Sequence, residues 1–413
     1  MRTIKSLIYK LINLTPLTKE VSVRLYRFLM KCKYRIMQRR FPTDDKMIVF
    51  ESFLGKQFGC SPKALFLSMV NNPEYDAYQK IWMFKNPDAY KELEQYPNTK
   101  VVSYGSTEYY EYYARAKYWI TNYHLPAGVV KKKDQVYVQT WHGTPLKKIG
   151  CDVGNPKNLS QDKKRAWRDY RDEGKIIDFM PSPSPFYTEK IKSAFLLQEQ
   201  AQVLEYGYPR NDFLFSYEDG VVGKMKEHLN IPKNKKVILY APTWRDNQHI
   251  PGQGYVYQCG VDFDLLKQEL QDEYVILFRA HYLISNSFDF DNYKGFIVDV
   301  SHYDDINELY VISDILVVDY SSVFFDYANL KRPIIFYMYD YEEYKNEMRD
   351  FYFSVDELPG PIVKEEKALV HAIRDAMKEE FCPDEKYIAF NQKYNPYPVC
   401  CSEKVTAKIL GQG

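Results

Sequence analysis

Short apolar runs alternate with amphipathic stretches along most of the chain. Strand-like runs occur at Met47 to Phe53, Lys80 to Phe84, Val101 to Ser103, Tyr118 to Asn122 and Val136 to Thr140. A second series opens near Val237 with VILYAPT, YVILFRAH, FIVDV, DILVVDY and PIIFY, and helical patterns over 262–272 and 304–312 fall between these runs. Strands separated by helices describe βαβ units, so the pattern predicts an α/β fold with two successive parallel-sheet domains. Gly, Pro, Asn and Asp cluster in GYPRNDFLFSYEDG, residues 207–220, which places the boundary there. The expected division is 1–44, 45–215 and 216–413. No internal repeat is visible beyond the shared rhythm, and Asn247 to Gly260, lacking periodicity, reads as a loop. Open parallel sheets bind ligands beyond the carboxyl ends of their strands, so two such domains facing one another place a ligand in the cleft between them.

The most informative stretch is VVDYSSVFFDYANLKRPIIFY, residues 317–337. A buried strand ends at Asp319. Val323, Phe324 and Tyr327 then recur at helical spacing until Pro333 breaks the pattern. Ser321 or Ser322 is the expected N-cap. A helix opening at the carboxyl end of a strand presents free backbone N–H groups to an anion. Taken alone, the segment reads first as an ordinary N-cap in an α/β domain.

Charge changes the picture at the N-terminus. The whole chain is +1, but residues 1–40 carry a net +10 and the remainder −9. Ile4, Leu7, Ile8, Leu11, Ile12 and Leu14 share one helical face, and Val21, Leu25, Phe28 and Leu29 continue a similar one. A basic amphipathic segment of this kind lies on an anionic membrane surface or packs against the acidic body of its own chain. Lys5 and Lys10 interrupt the apolar run, and no uninterrupted 18-residue apolar stretch follows, which argues against a transmembrane span. Lys10 also splits what would be the core of a signal peptide. Seven cysteines without paired spacing fit reduced thiols in the cytosol rather than a zinc site. The expected location is therefore the cytoplasmic face of the membrane.

Four polar clusters follow predicted strands. In QTWHGTPLKKIG, residues 139–150, His142 directly follows a strand, Gly143 and Thr144 form a turn that permits close substrate approach, and Lys147 and Lys148 suit a phosphate-bearing acceptor. An imidazole with an ordinary pKa near 6.5 accepts a hydroxyl proton at cytosolic pH. In APTWRD, residues 241–246, Thr243 and Arg245 can donate hydrogen bonds to phosphate oxygens, the latter with a forked guanidinium. In FRAHYLI, residues 278–284, His281 ends a strand and suits charge on a departing nucleotide. The fourth cluster is Asp319, Tyr320, Ser321 and Ser322.

WHGTPLKKIG, GYPRND, APTWRD, RAHYLI and DYSSVFFDYANLKRPIIFY, in that order over roughly residues 45–400, resemble the CDP-glycerol glycerophosphotransferases of Gram-positive teichoic acid synthesis. The resemblance implies a glycosyltransferase-B architecture with the donor nucleotide held mainly by the C-terminal domain. It implies that His142 is the general base, that His281 acts at the donor phosphates and that Ser321 and Ser322 contact the donor diphosphate, with Arg245 and Asp319 as donor-site support. The implied reaction is attack of an acceptor hydroxyl on the β-phosphorus of CDP-glycerol, releasing CMP. Positioning and charge stabilisation carry most of such chemistry. The implied acceptor is a lipid-linked glycan or teichoic acid, in agreement with the basic N-terminus.

No clustered His/Asp metal signature is evident in the sequence, so no obligatory metal or other cofactor is expected. CDP-ribitol is the nearest alternative donor, because the motifs report the nucleotide and phosphates rather than the polyol. A sugar-nucleotide glycosyltransferase and a non-catalytic membrane scaffold are further alternatives. A nucleic-acid partner is not expected, since no aromatic-basic reading module accompanies the basic segment. Primase or polymerase action and homo-oligomerisation are left open.

Overall fold

The structure is a computed structural model that describes residues 16–154, 161–218, 220–243, 249–250, 254–255, 260–280, 289–342, 351–397 and 400–411. Its first sheet holds β1 (Asp44–Glu51), β2 (Gln79–Phe84), β3 (Thr99–Ser103), β4 (Ala116–Thr121), β5 (Val136–Gln139), β6 (Phe179–Pro181) and β7 (Gln202–Leu204). They are all parallel, in the order β3-β2-β1-β4-β5-β6-β7. The second sheet holds β8 (Lys236–Ala241), β11 (Tyr274–Phe278), β12 (Ile297–Asp299), β13 (Ile315–Val318), β14 (Ile334–Tyr337) and β15 (Ile362–Val363). Its order, β12-β11-β8-β13-β14-β15, is again fully parallel. Within the stretch expected as a loop, β9 (His249–Ile250) and β10 (Gly254–Tyr255) pair as a short antiparallel ladder. The expected α/β class with two parallel-sheet domains is the fold observed. The two sheets also share a strand order that reverses beside the first strand of each, at β1/β4 and β8/β13.

Both faces of each sheet are covered, which is why the central strands read as continuous apolar runs. Met47 and Val49 point into one cluster with Tyr109, Tyr113 and Trp119, whereas Ile48 and Phe50 point into another with Phe66 and Trp82. β13 behaves alike: Leu316 and Val318 face one side and Ile315 and Val317 the other. Burial of each large apolar side chain contributes about 1.5–3 kcal/mol.

The helix Pro16–Gln38 lies against the first sheet. Tyr34 buries its ring in that core, Arg27 forks onto Asp169 at 2.6 and 3.1 Å, and Gln38 Nε2 donates to the Val130 carbonyl at 2.7 Å. Its outer side leaves Val21, Leu25, Phe28 and Leu29 each more than half exposed. Among the described residues no helix is long and apolar enough to cross a membrane.

The sheets part between Leu204 and Lys236, and the segment between them is tied down rather than loose. The 3₁₀ helix Pro209–Leu214 buries Pro209, Arg210, Asn211 and Leu214. Asp212 accepts from the backbone N–H groups of Cys401 and Ser402 at 3.0 and 2.7 Å, capping the helix Cys401–Ile409. That helix returns to the first domain, where Cys401, Val405 and Ile409 join the core with Phe66 and Leu65. The expected unit 216–413 therefore sends residues 401–409 back across the cleft.

Glu51 ends β1 in a buried position, where it accepts from the hydroxyls of Tyr109 at 2.7 Å and Tyr113 at 3.2 Å. Burial pushes its carboxyl up to about 7, against the two tyrosine hydrogen bonds and Lys85, which favour ionisation. An acid whose folded pKa is raised stabilises the fold below its unfolded pKa, and that contribution fades as pH climbs through the folded value. Glu51→Gln keeps an acceptor for both tyrosines and removes the titration. Urea unfolding should show the variant gaining on the wild type between pH 4.5 and pH 7, to a limit of about 3 kcal/mol. A pH-independent difference would show that Glu51 does not titrate in this window.

Candidate active site

The carboxyl ends of both sheets open onto one cavity of about 440 Å³. From the first domain it is lined by Phe53, Tyr123, His142, Gly143 and Thr144, and from the second by Thr243, Arg279, Ser321 and Ser322. The two points of strand-order reversal thus face each other, the position at which open α/β sheets bind ligands.

His142 follows β5 across a turn in which Trp141 takes a positive φ of 52°. The Trp141 N–H donates to Gln139 Oε1 at 2.9 Å, which holds the turn. His142 Nδ1 lies 2.7 Å from the Asn122 carbonyl oxygen. A carbonyl only accepts, so Nδ1 carries the hydrogen and Nε2 keeps its lone pair. Burial pushes the imidazole down to about 4, assisted by Arg210 and His124 and opposed by the Asn122 hydrogen bond. The ring is neutral at neutral pH, with the Nε2 lone pair free to accept a proton.

Gly143 brings the two domains into near contact. A Cβ there would lie 3.0 Å from Ser322 Oγ and 4.0 Å from Arg210 Nη2. Thr144 is buried, and its hydroxyl makes no hydrogen bond to the described residues. Lys147 lines the cavity and Lys148 does not.

On the opposite wall Asp319 organises the second reversal point. Its Oδ1 accepts from the N–H of Thr243 at 2.8 Å and of Tyr320 at 2.5 Å, so the loops after β8 and β13 are pinned together. Ser322 takes the N-cap position, but its side chain makes no capping hydrogen bond. The helix it opens, Val323–Tyr327, has only five residues before a 3₁₀ turn at Ala328–Leu330. This corrects the expectation of a helix dipole at that site, because so short a helix sums few peptide dipoles. Ser321 and Ser322 remain on the cavity wall. Arg245 and His281 lie outside the described residues.

A family model described as CDP-glycerol:poly(glycerophosphate) glycerophosphotransferase matches residues 33–410. The chain belongs to this family. A teichoic acid poly(glycerol phosphate) polymerase of Bacillus spizizenii is 39% identical over 94% of this chain and 98% of its own. One from Staphylococcus epidermidis is 40% identical over 87% of this chain and 50% of its own, so the chain spans about half the length of that relative. The solved wall teichoic acid polymerase TagF superposes with a TM-score of 0.80 at 38% identity, covering 95% of this chain and 94% of that one. Ribitol-phosphate polymerases stand further off, one from Bacillus spizizenii being 34% identical over 59% of this chain.

Several cavity residues of this family member carry no signal in the local sequence pattern. Arg210, within the motif GYPRND, is buried with its guanidinium at the cavity wall. Nη2 donates to Asp326 Oδ2 at 2.7 Å and Nη1 to Cys60 Sγ at 3.4 Å, while Nε has no partner among the described residues. Asn211 Nδ2 donates to Asp326 Oδ1 at 2.9 Å, and Asn307 Nδ2 donates to the Arg210 carbonyl. His124, on the cavity wall, and Glu173 form a second pair, joined through the His124 Nδ1 hydrogen bond. Asp326 could have been found only by asking what balances a buried arginine, since its position resembles any polar residue on a short helix.

Removing one partner of a buried ion pair strands the other charge without solvent. Arg210→Ala should therefore lower stability by about 3–5 kcal/mol. The double variant Arg210→Met with Asp326→Leu should recover most of that loss while leaving the cavity without its buried cation. Urea unfolding of the three proteins checks both statements, and a double variant no more stable than Arg210→Ala would show that the stranded carboxylate is not the source of the loss.

Proposed function

We propose that this chain transfers glycerol phosphate from CDP-glycerol to a hydroxyl of a lipid-linked teichoic acid or related cell-wall acceptor, releasing CMP, at the cytoplasmic face of the membrane. The observation that carries this reading is the meeting of a neutral, tautomer-fixed His142 with the Ser321–Ser322 loop across the two reversal points. Family membership supplies the donor class, and the greater coverage by glycerol-phosphate relatives than by ribitol-phosphate ones favours glycerol over ribitol.

In this mechanism the acceptor hydroxyl lies at His142 Nε2 and gives up its proton as its oxygen bonds to the β-phosphorus. The bond from that phosphorus to the bridging oxygen breaks, and CMP carries the bridging oxygen away. Ser321, Ser322, Thr243 and the buried Arg210 surround the diphosphate, with Asp319 fixing the loops that bear them. His281 and Arg245, by their place in the family's motifs, complete the donor site. Hydrogen bonds to ionised phosphate oxygens in a water-poor cleft are the strong ones.

The N-terminal helix supports the membrane location. Its exposed Val21, Leu25, Phe28 and Leu29 stand beside the exposed Arg24, Lys31 and Arg35, a combination suited to the boundary of an anionic bilayer.

Purified protein given CDP-glycerol and a lipid-linked acceptor should yield CMP and a product heavier by one or more glycerol phosphates. Transfer from CDP-ribitol alone would overturn the donor assignment. His142→Ala should lower kcat by about 10²–10⁴-fold while still binding CDP-glycerol. The acid limb of kcat/KM, which reports the free enzyme, should follow the depressed His142 value near 4. That of kcat should lie higher, because a bound diphosphate stabilises the imidazolium. Acid limbs at the same pH in both profiles would contradict this role for His142. Vesicle co-sedimentation should show Leu25→Glu with Phe28→Glu weakening attachment to anionic vesicles by at least about ten-fold, and unchanged attachment would refute the helix as the contact.

A further inference from the structure

The cavity has a second imidazole that the transfer mechanism does not use. His124 lies on the loop after β4 and lines the same cavity as His142, Tyr123, Tyr170 and Lys147. Its Nδ1 is turned to Glu173 Oε2. Glu173 is buried and otherwise saturated: it accepts from the Tyr137 hydroxyl at 2.5 Å, Gln139 Nε2 at 3.1 Å and the Leu125 N–H at 3.3 Å. This carboxylate is fixed, and it fixes the imidazole. His124 Nε2 has no hydrogen-bond partner among the described residues.

The charges around the ring favour a cation. Burial alone would drive the proton off, but Glu173 outweighs it, Asp169 adds to the effect and Arg27 opposes it, so the imidazole sits above its ordinary range. The ring stands edge-on to Tyr170 at 4.7 Å and to Trp141 at 5.7 Å. Trp141 is 4.1 Å from His142, so a single indole separates the two imidazoles. One imidazole is held with its Nε2 lone pair ready to accept a proton, and the other is held by a carboxylate with its Nε2 edge unpartnered, on the same wall.

A glycerol phosphate terminus has a matching layout, with a free hydroxyl and a phosphodiester at opposite ends of three carbons. We propose that His124, held by Glu173, is the acceptor-side anion contact that receives the phosphodiester one polyol unit away from the attacked hydroxyl. The chain would thereby favour acceptors that already end in a polyol phosphate over bare lipid-linked glycans. Lys147 lies on the same wall and adds positive charge. This assignment rests on the transferase reading above and specifies the substrate class at that site.

The test compares two acceptors, a lipid-linked disaccharide with and without a terminal glycerol phosphate, using CDP-glycerol as donor. His124→Asn retains an N–H for Glu173 but removes the Nε2 edge. It should raise KM for the phosphate-ended acceptor at least ten-fold more than for the bare one, with the KM for CDP-glycerol changed less than two-fold. His124→Gln, whose amide extends further, should recover part of the loss, and Glu173→Gln should shift KM in the same direction as His124→Asn. Equal losses on both acceptors, or a change confined to the donor KM, would overturn the assignment. Calorimetric binding of a soluble glycerol phosphate-ended acceptor analogue is read separately. If the wild type turns over neither acceptor, the transferase reading fails, while loss of analogue binding in His124→Asn still supports the anion contact and unchanged binding overturns it.

Discussion

The buried pair between Arg210 and Asp326 is the constraint on which the cleft depends. A guanidinium and a carboxylate taken out of water repel the fold unless each finds the other in good geometry. Here Arg210 stands in the segment that joins the two sheets and Asp326 in the helix after the fourth strand of the second, at 2.7 Å, with Asn211 completing the carboxylate and Cys60 accepting from the guanidinium. Parting this joint from the second sheet's helix would leave both charges in apolar surroundings until water entered. Charge balance therefore acts beside apolar contact in fixing the joint between the two sheets. Lys63, bridging Asp305 and Glu308 at 2.8 Å each, repeats the device at the cleft margin.

With the sheets so placed, the chemistry follows from topology. Each sheet reverses its strand order beside its first strand, and each reversal leaves a crevice at the carboxyl edge. One crevice carries the tautomer-fixed His142 on a strained turn, and the other carries the Asp319-pinned loops. Gly143 is the point where they nearly touch, and a side chain there would press on Ser322.

Much of this was legible in the sequence because fully covered parallel strands leave continuous apolar runs. β6, β7 and β15 escaped notice, being only two or three residues long and too short to show a period. His142, Gly143, Thr243, Asp319, Ser321 and Ser322 were legible as polar residues directly after strands, and the structure brings all but Asp319 to one cavity, with Asp319 behind the wall pinning its loops. The helix after Ser322 was overestimated, because Phe324, Phe325 and Tyr327 are buried on all sides rather than along one stripe. Arg210 stood in a stretch whose Gly, Pro, Asn and Asp content marks a boundary, and composition does not distinguish an exposed linker from a buried polar joint. His124 and Glu173 lie 49 positions apart, so their pairing belongs to the tertiary structure.

The return of residues 401–409 to the first domain has a bearing on synthesis. Ser68 and Thr406, in mutual hydrogen-bond contact, are 338 positions apart, and the core around Phe66 is completed only by Cys401, Val405 and Ile409. A ribosome delivering the chain from its N-terminus exposes the apolar side of the helix Cys60–Val70 throughout translation of the second domain. Contacts of such long range are slow to form and leave sticky surface uncovered meanwhile. The first domain, though made first, is the last to be finished.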